Sequence, residues 1–216
     1  MRIASEGYPF IVGPLVPGVI LAGLYPMHQR EWLLVLGAVL ILAAFACLGF
    51  FRNPTRRIPS EESVVLSPAD GKVLQIVDVT DEYVGCAKRV DIFLSVFDVH
   101  VNRIPVTGTV EFVHHRPGKF VSAFKDKAST DNERIDIGIQ GSRGRIRVAQ
   151  IAGIIARRII CRVKPQDLVR AGQRYGLIRF GSRAEITFPD TFAPVVRPGE
   201  HVKGGETIIG RLIEHA

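Results

Sequence analysis

Three residues of this chain have side chains that do chemistry and stand where a turn meets an apolar run. Ser182 follows Gly181 in Phe180-Gly181-Ser182, and a serine hydroxyl is a nucleophile once a base takes its proton. Asp70 lies in Ser67-Pro-Ala-Asp70-Gly71, where a carboxylate can orient a base or accept a proton itself. His100 closes Phe97-Asp-Val-His100 behind an apolar stretch and carries the one side chain whose ordinary pKa lies near neutrality. Taken singly, each has a plain reading. Gly-Ser pairs are common in turns, Asp70 is a turn aspartate, and a lone histidine behind a strand is usually packed.

Other chemistry is excluded by inspection. The chain has no GxSxG elbow, HExxH pair, Walker loop or dinucleotide-binding glycine fingerprint. His114 and His115 are adjacent, so on a strand they point to opposite faces and make poor joint metal ligands. Cys47, Cys86 and Cys161 form no CxxC pair, which argues against a structural zinc, a thioredoxin-type site or a disulfide scaffold.

The three residues gain weight from their companions. Phe51-Arg-Asn-Pro54, Ser67-Pro-Ala-Asp70-Gly71 and Phe97-Asp-Val-His100-Val-Asn-Arg103-Ile-Pro105 occur in that order. Pro117-Gly-Lys119-Phe120, Asn132-Glu-Arg134, Gln150-Ile-Ala-Gly153 with Ala156-Arg-Arg-Ile159, and Phe180-Gly181-Ser182 follow. In this order and spacing the chain resembles the compact branch of the phosphatidylserine decarboxylase family, from Phe51 to its C-terminus.

The resemblance implies an enzyme with no metal and no pyridoxal phosphate, which makes its cofactor by cutting itself. Ser182 would attack the Gly181 carbonyl. The resulting ester would eliminate, giving a β chain of residues 1–181 and an α chain of residues 182–216 that begins with a pyruvoyl group. That group would form a Schiff base with phosphatidylserine, lose CO2 and release phosphatidylethanolamine. Glycine at 181 suits such an attack, because no Cβ crowds the carbonyl. Asp70 and His100 are implied members of this machinery. Longer family members carry His-x-x-His before the proline, but here the second position is Arg103. The base is therefore His100 or a histidine from elsewhere such as His115, and Arg103 is available to bind substrate carboxylate or phosphate. Lys119, Arg134, Arg157 and Arg158 are further head-group candidates, although for any one of them solvated surface is the weightier reading. A homodimer is an expectation of the resemblance alone.

These residues need elements to hold them. The 216-residue chain is 47% hydrophobic, and its apolar residues concentrate at the start. Residues 32–51 contain no charge, and at about 1.5 Å per residue they span roughly 30 Å, one bilayer core. Residues 9–26 are also uncharged but hold Pro9, Pro14, Pro17 and Pro26, which predicts a kinked span or a re-entrant segment. Residues 1–51 thus read as an α-helical membrane anchor and residues 52–216 as the catalytic domain.

Of 28 basic and 21 acidic side chains, two of each precede residue 52, so the whole net charge of +7 falls on the body. Arg52, Arg56 and Arg57 follow the second run and predict a cytoplasmic body on the inner membrane. Beside an anchor, this basic excess suits an anionic phospholipid surface better than a nucleic acid.

The body is a series of short, β-branched runs broken by turn signals, which predicts a mainly β fold with flattened-barrel or sandwich elements. Val148–Val163 reads as strand and Asp126–Glu133 as loop. A weak repeat is present: Val163-Lys-Pro165-x3-Val169-x2-Gly172 recurs as Val196-Arg-Pro198-x3-Val202-x2-Gly205. Such units build biotinyl- and lipoyl-type barrels, although no lysine stands at the expected hairpin tip. Two other readings of the chain follow. One is a non-enzymatic, membrane-anchored adaptor with a biotinyl-like barrel. The other is a pyruvoyl decarboxylase of a different aminoacyl lipid.

Overall fold

The computed structural model describes residues 2–119, 132–153, 158–178 and 182–213. Phe120, Ala156, Arg157, Phe180 and Gly181 therefore lie outside the described residues, as does most of the expected loop before Glu133. The chain divides into two compact units, Met1–Thr55 and Arg56–Ala216.

The first unit opens with strand β1 (Arg2–Ile3), followed by helices α1 (Tyr8–His28) and α2 (Glu31–Phe50) and strand β2 (Arg52–Asn53), which pairs back onto β1. Pro14, Pro17 and Pro26 lie inside α1, yet the helix runs unbroken through them. Gln29 ends it in the left-handed region and donates its N–H to the Tyr25 carbonyl. Glycine brings the two helices together: a Cβ on Gly18 would lie 3.0 Å from the Gly37 carbonyl oxygen, and one on Gly37 2.9 Å from that of Gly18. Small residues at such a crossing permit the close backbone approach that drives helix association in lipid. Both helices are long and apolar enough to cross a membrane.

The described part of the second unit holds only strands. In chain order they are β3 (Val64–Leu66), β4 (Gly71–Asp81), β5 (Gly85–Leu94), β6 (Val101–Arg103), β7 (Gly108–Arg116), β8 (Arg134–Gly141) and β9 (Gly144–Ile151). Then come β10 (Ile159–Cys161), β11 (Leu168–Val169), β12 (Arg174–Ile178), β13 (Ser182–Pro189), β14 (Phe192–Pro194), β15 (His201–Val202) and β16 (Ile208–Leu212). The main sheet is antiparallel, in the order β11-β7-β8-β9-β13-β5-β4-β15, and curls into a half-barrel. Two three-stranded sheets, β10-β12-β6 and β14-β16-β3, complete a mainly β fold. The expected Val148–Val163 strand is two pieces, because β9 belongs to the main sheet and β10 to a small one.

The strand order reads the same from either end once β11 is equated with β15, β7 with β4, β8 with β5 and β9 with β13. Finer details repeat with it. Gly172 and Gly205, the last residues of the sequence repeat, both have φ +76°. The Gly172 N–H donates to the Ile104 carbonyl and the Gly205 N–H to that of Ser67, each at 2.8 Å. Register shifts fall between Val73 and Gln75 on β4 and between Val110 and Phe112 on β7. The unit is thus built of two similar halves around an approximate two-fold axis between β9 and β13.

Alternation along the strands sends Ile92, Ile137, Val148, Ile186 and Phe188 into one apolar core. The opposite face carries charge, and it too is buried. Asp91, Asp136, Arg183 and Glu185 are each under 4% exposed. Arg134 bonds Asp136 at 2.6 Å and lies 3.5 Å from Glu185. Arg89 bonds Asp91 at 2.9 Å, with Arg183 3.6 Å from the same carboxylate. Ala149 stands in register between Asp136 and Glu185, and its small side chain leaves room for this ionic strip to cross β9.

Candidate functional site

Ser182 is the first residue of β13 and pairs with Leu94, the last of β5. Its side chain is fully buried, and its Oγ has no hydrogen-bond partner among the described residues. A buried hydroxyl without a partner costs roughly 1–3 kcal/mol, so its presence marks a constraint other than stability. Leu94 packs against Ala69 and Ala184, which sets the turn holding Asp70 beside the head of β13.

Asp70 accepts two hydrogen bonds from the Arg56 guanidinium, at 2.7 and 2.9 Å, and a third from the Gly204 N–H at 2.8 Å. Arg56 also reaches Glu206 at 3.3 Å, and Glu206 accepts the Arg57 N–H. This knot ties residues 56–57, the Asp70 turn and residues 204–206 together. Burial lifts the Asp70 carboxyl above its ordinary value, Arg56 and the Gly204 N–H oppose that, and the nearby charge of Asp98 adds to it.

His100 is fully buried at the head of β6. Its carbonyl accepts the Ile178 N–H at 3.2 Å, four residues before Ser182 in the chain. Its Nδ1 lies 3.0 Å from the Asp98 carbonyl oxygen. An N–H donated there makes Nε2 the basic nitrogen of the neutral ring. Two residues on, Asn102 Oδ1 accepts from Gln150 Nε2 at 2.8 Å in a buried pair. Asn102 Nδ2 and Gln150 Oε1 have no partner among the described residues.

Of the remaining candidates, His115, Lys119 and Arg134 stand at the Ser182 end of the main sheet, and Arg103 on β6 of a smaller one. Arg103 is half-buried and donates to the Gly172 carbonyl at 3.0 Å. Burial, and then the charge of Arg56, pulls its guanidinium pKa down, with Asp70 and Glu206 opposing. Lys119 is exposed and bridges to Asn132 beyond the ends of β7 and β8. Arg134 heads β8 as part of the ionic strip. His115 bonds Glu133 at 2.9 Å on the exposed side of β7. Arg158 is exposed. Among the described residues no group of His, Cys, Asp and Glu could hold a metal ion.

Sequence reasoning missed Arg56 as the partner of Asp70, because a basic residue after an apolar run reads as a topology signal. It also left Asn102 and Gln150 without roles, although both stand in the motifs already quoted.

The chain is similar to known proteins along most of its length. A family model described as phosphatidylserine decarboxylase matches residues 43–210. The phosphatidylserine decarboxylase proenzyme of Nitratidesulfovibrio vulgaris is 47% identical over 179 residues, 82% of each chain. That of Carboxydothermus hydrogenoformans is 49% identical over 82% of this chain and 84% of its own. That of Symbiobacterium thermophilum is 46% identical over 97% of this chain and 95% of its own.

Proposed function

Since the chain belongs to the phosphatidylserine decarboxylase family, we propose that it converts phosphatidylserine to phosphatidylethanolamine and CO2 with a pyruvoyl group made from its own Ser182. The observation that carries this reading is the fully buried Ser182 Oγ at the head of β13, which has no hydrogen-bond partner among the described residues. The residues present fit the group, since its precursor hydroxyl is held away from water at the end of the sheet where Asp70 and His100 also stand.

In this reading Ser182 Oγ adds to the Gly181 carbonyl carbon, its proton passing to a base, and the peptide bond becomes an ester. Loss of the Ser182 Cα proton breaks the Cβ–Oγ bond. Gly181 leaves with a carboxylate, and a dehydroalanine remains at position 182. Water then replaces its nitrogen, which departs as ammonia. Once formed, the pyruvoyl ketone supplies a carbonyl that condenses with the substrate amine and takes up the electron pair released with CO2.

The protein's own side chains hold charge and protons around that centre. His100, with Nε2 as its basic nitrogen, is the proposed acid or base. Asp70 is held in place by Arg56 and Gly204. Lys119 is the exposed cation proposed to meet the phosphate. Arg134, between the carboxylates of Asp136 and Glu185, sets the local field, and Arg103 is proposed to meet the substrate carboxylate or phosphate. The two apolar helices anchor the chain in the membrane, and the arginines after α2 favour the cytoplasmic face.

An intact mass spectrum of the detergent-solubilised full chain tests the proposal. The expected result is two species broken after Gly181, with residues 182–216 one ammonia lighter than a serine-started peptide. Ser182→Ala should leave one uncut chain with no decarboxylation. Normal cutting in that variant would overturn the reading.

A further inference from the structure

The two-fold of the second unit supplies its own comparison for a buried polar pair. β3 corresponds to β6, and β16 to β12. The Leu66 N–H donates to the Pro105 carbonyl at 3.0 Å, and the Arg103 N–H to that of Pro68 at 2.8 Å. Val65, paired with Gly210, therefore corresponds to Asn102, paired with Gly176. On the main sheet Gln150 is the seventh residue of β9, and its counterpart Phe188 the seventh of β13. The small and main sheets meet alike in each half. A Cβ on Gly210 would lie 3.2 Å from the Phe188 ring, and one on Gly176 2.7 Å from Gln150 Nε2. All four side chains are fully buried. Val65 and Phe188 belong to the apolar core, so hydrocarbon satisfies the packing of this place. At the Ser182 end the same place holds two amides.

Those amides are held in one orientation. Gln150 Nε2 donates to Asn102 Oδ1 at 2.8 Å and lies 3.4 Å from the Ile160 carbonyl oxygen. A carbonyl there accepts only from the nitrogen end of the Gln150 amide, so Asn102 must offer that nitrogen its oxygen. Asn102 Nδ2, a donor, and Gln150 Oε1, an acceptor, then have no partner among the described residues. A buried polar atom without a partner lowers stability, and such groups are retained where they serve chemistry. Gln150 stands in register with Ala184, which shares a face of β13 with Ser182. Ser182 is thus its diagonal neighbour, a spacing that a long side chain spans. Asn102 lies two residues beyond His100.

We propose that this pair receives the α-amino acid group of the substrate, with Asn102 Nδ2 donating to its carboxylate and Gln150 Oε1 accepting from its amine. An α-amino acid carries an acceptor and a donor on one carbon, the complement of an amide donor and an amide acceptor side by side. A neutral donor suits a carboxylate that must leave as CO2. A cation in its place would hold the ground-state charge strongly and lose that attraction in the transition state. The phosphate is then what remains for Arg103. Any route that brings the substrate amine to position 182 also brings the carboxylate to the pair. This deepens the decarboxylase reading and rests on it.

Asn102→Leu with Gln150→Met removes both polar groups and keeps most of their volume, after the apolar precedent of Val65 and Phe188. The full chain in detergent gives three readouts: its denaturant midpoint, the masses of its fragments, and its turnover of phosphatidylserine in mixed micelles. The double variant is expected to unfold at a midpoint no lower than the parent's and to cut after Gly181, with kcat/KM lowered at least about tenfold. A lower midpoint would make the pair structural. A folded variant that stays uncut would assign the pair to self-cleavage, and unchanged turnover would leave it no part in the reaction. Each of these results overturns the proposal. Asn102→Leu alone isolates the carboxylate. Glycerophosphoserine should compete with substrate more strongly than glycerophosphoethanolamine in the parent, and that preference should fall at least about tenfold in the variant. An unchanged preference would refute the role of Asn102. A parent chain that neither cuts nor turns over phosphatidylserine would refute the decarboxylase reading itself, a failure distinct from all of these.

Discussion

Replacing Arg56 by methionine keeps most of the side-chain volume and removes the guanidinium that holds Asp70. The Arg56 side chain is only 6% exposed, so little solvent screens the pair. Removing one partner of a buried ion pair costs about 3–5 kcal/mol. Asp70 retains its bond from the Gly204 N–H and some access to water, which places Arg56→Met near the lower end, at about 3 kcal/mol. Arg56→Met with Asp70→Asn removes the stranded charge as well, and its loss should fall short of the sum of the single variants by about 2 kcal/mol.

The same change acts on the chemistry. Without Arg56 the burial that already raises the Asp70 carboxyl acts with less opposition, and less carboxylate exists at neutral pH. If Asp70 works ionised, self-cleavage of Arg56→Met should slow at pH 7. It should recover as the pH rises, because a raised acid pKa delays ionisation to higher pH. The assay is the appearance of the 35-residue fragment 182–216 against pH, beside denaturant unfolding of the full chain in detergent. A variant that cuts with the wild-type rate and pH profile, and loses under about 1 kcal/mol, would refute the argument that this pair holds the site.

Two further outcomes follow from the sheet. A Cβ at Gly138 would lie 2.2 Å from the Phe112 ring, so Gly138→Ala should destabilise the second unit by about 1–3 kcal/mol, read as a shift in denaturant midpoint. Burial would raise the Asp136 carboxyl, but the bonds and charges of Arg134 and Arg116 outweigh this and hold it below its ordinary value. Its stabilising contribution is then full above about pH 4, where the unfolded carboxylate is ionised, and fades as the pH falls through the depressed folded value. Asp136→Asn should cost about 3 kcal/mol at pH 7 and progressively less toward pH 2, and a constant difference would contradict that assignment.

The turn-punctuated β-branched runs were legible as strands because each carries its own alternation and its own stop signal. The Val163 and Val196 repeat was legible too, and its two glycines share one backbone angle. The unlegible parts depend on partners distant in sequence. Arg134 reads as a surface cation until Glu185, 51 positions on, comes to lie beside it. Arg56 reads as a topology signal until Asp70 and Glu206 close around it. The prolines of α1 read as a kinked span or a re-entrant segment, and α1 is one continuous helix long enough to span. Nor does local sequence report depth. The hydroxyl of Ser182 and the half-satisfied amides of Asn102 and Gln150 are ordinary residue types, and their burial exists only in three dimensions.

The two-fold within the second unit bears on where a cut is tolerable. The half containing β6 to β12 is continuous in the chain, whereas the other consists of β3 to β5 and β13 to β16. One half is therefore spliced into the other. In the continuous half, β8 passes to β9 through a short turn, with Gly141 opposite Gly144. The equivalent turn in the interrupted half would join Leu94 to Ser182, which face each other in the same way. That hairpin has been opened, and the inserted half leaves through residues 95–100 and returns after β12, which ends at Ile178. His100 lies on the outgoing seam and Ser182 at the end of the returning one. Scission after Gly181 would part the chain at a splice and leave both ladders of β13, to β5 and to β9, unbroken. The fragment that begins at Ser182 would thus keep the central strand of the sheet and remain in place as a permanent part of the molecule.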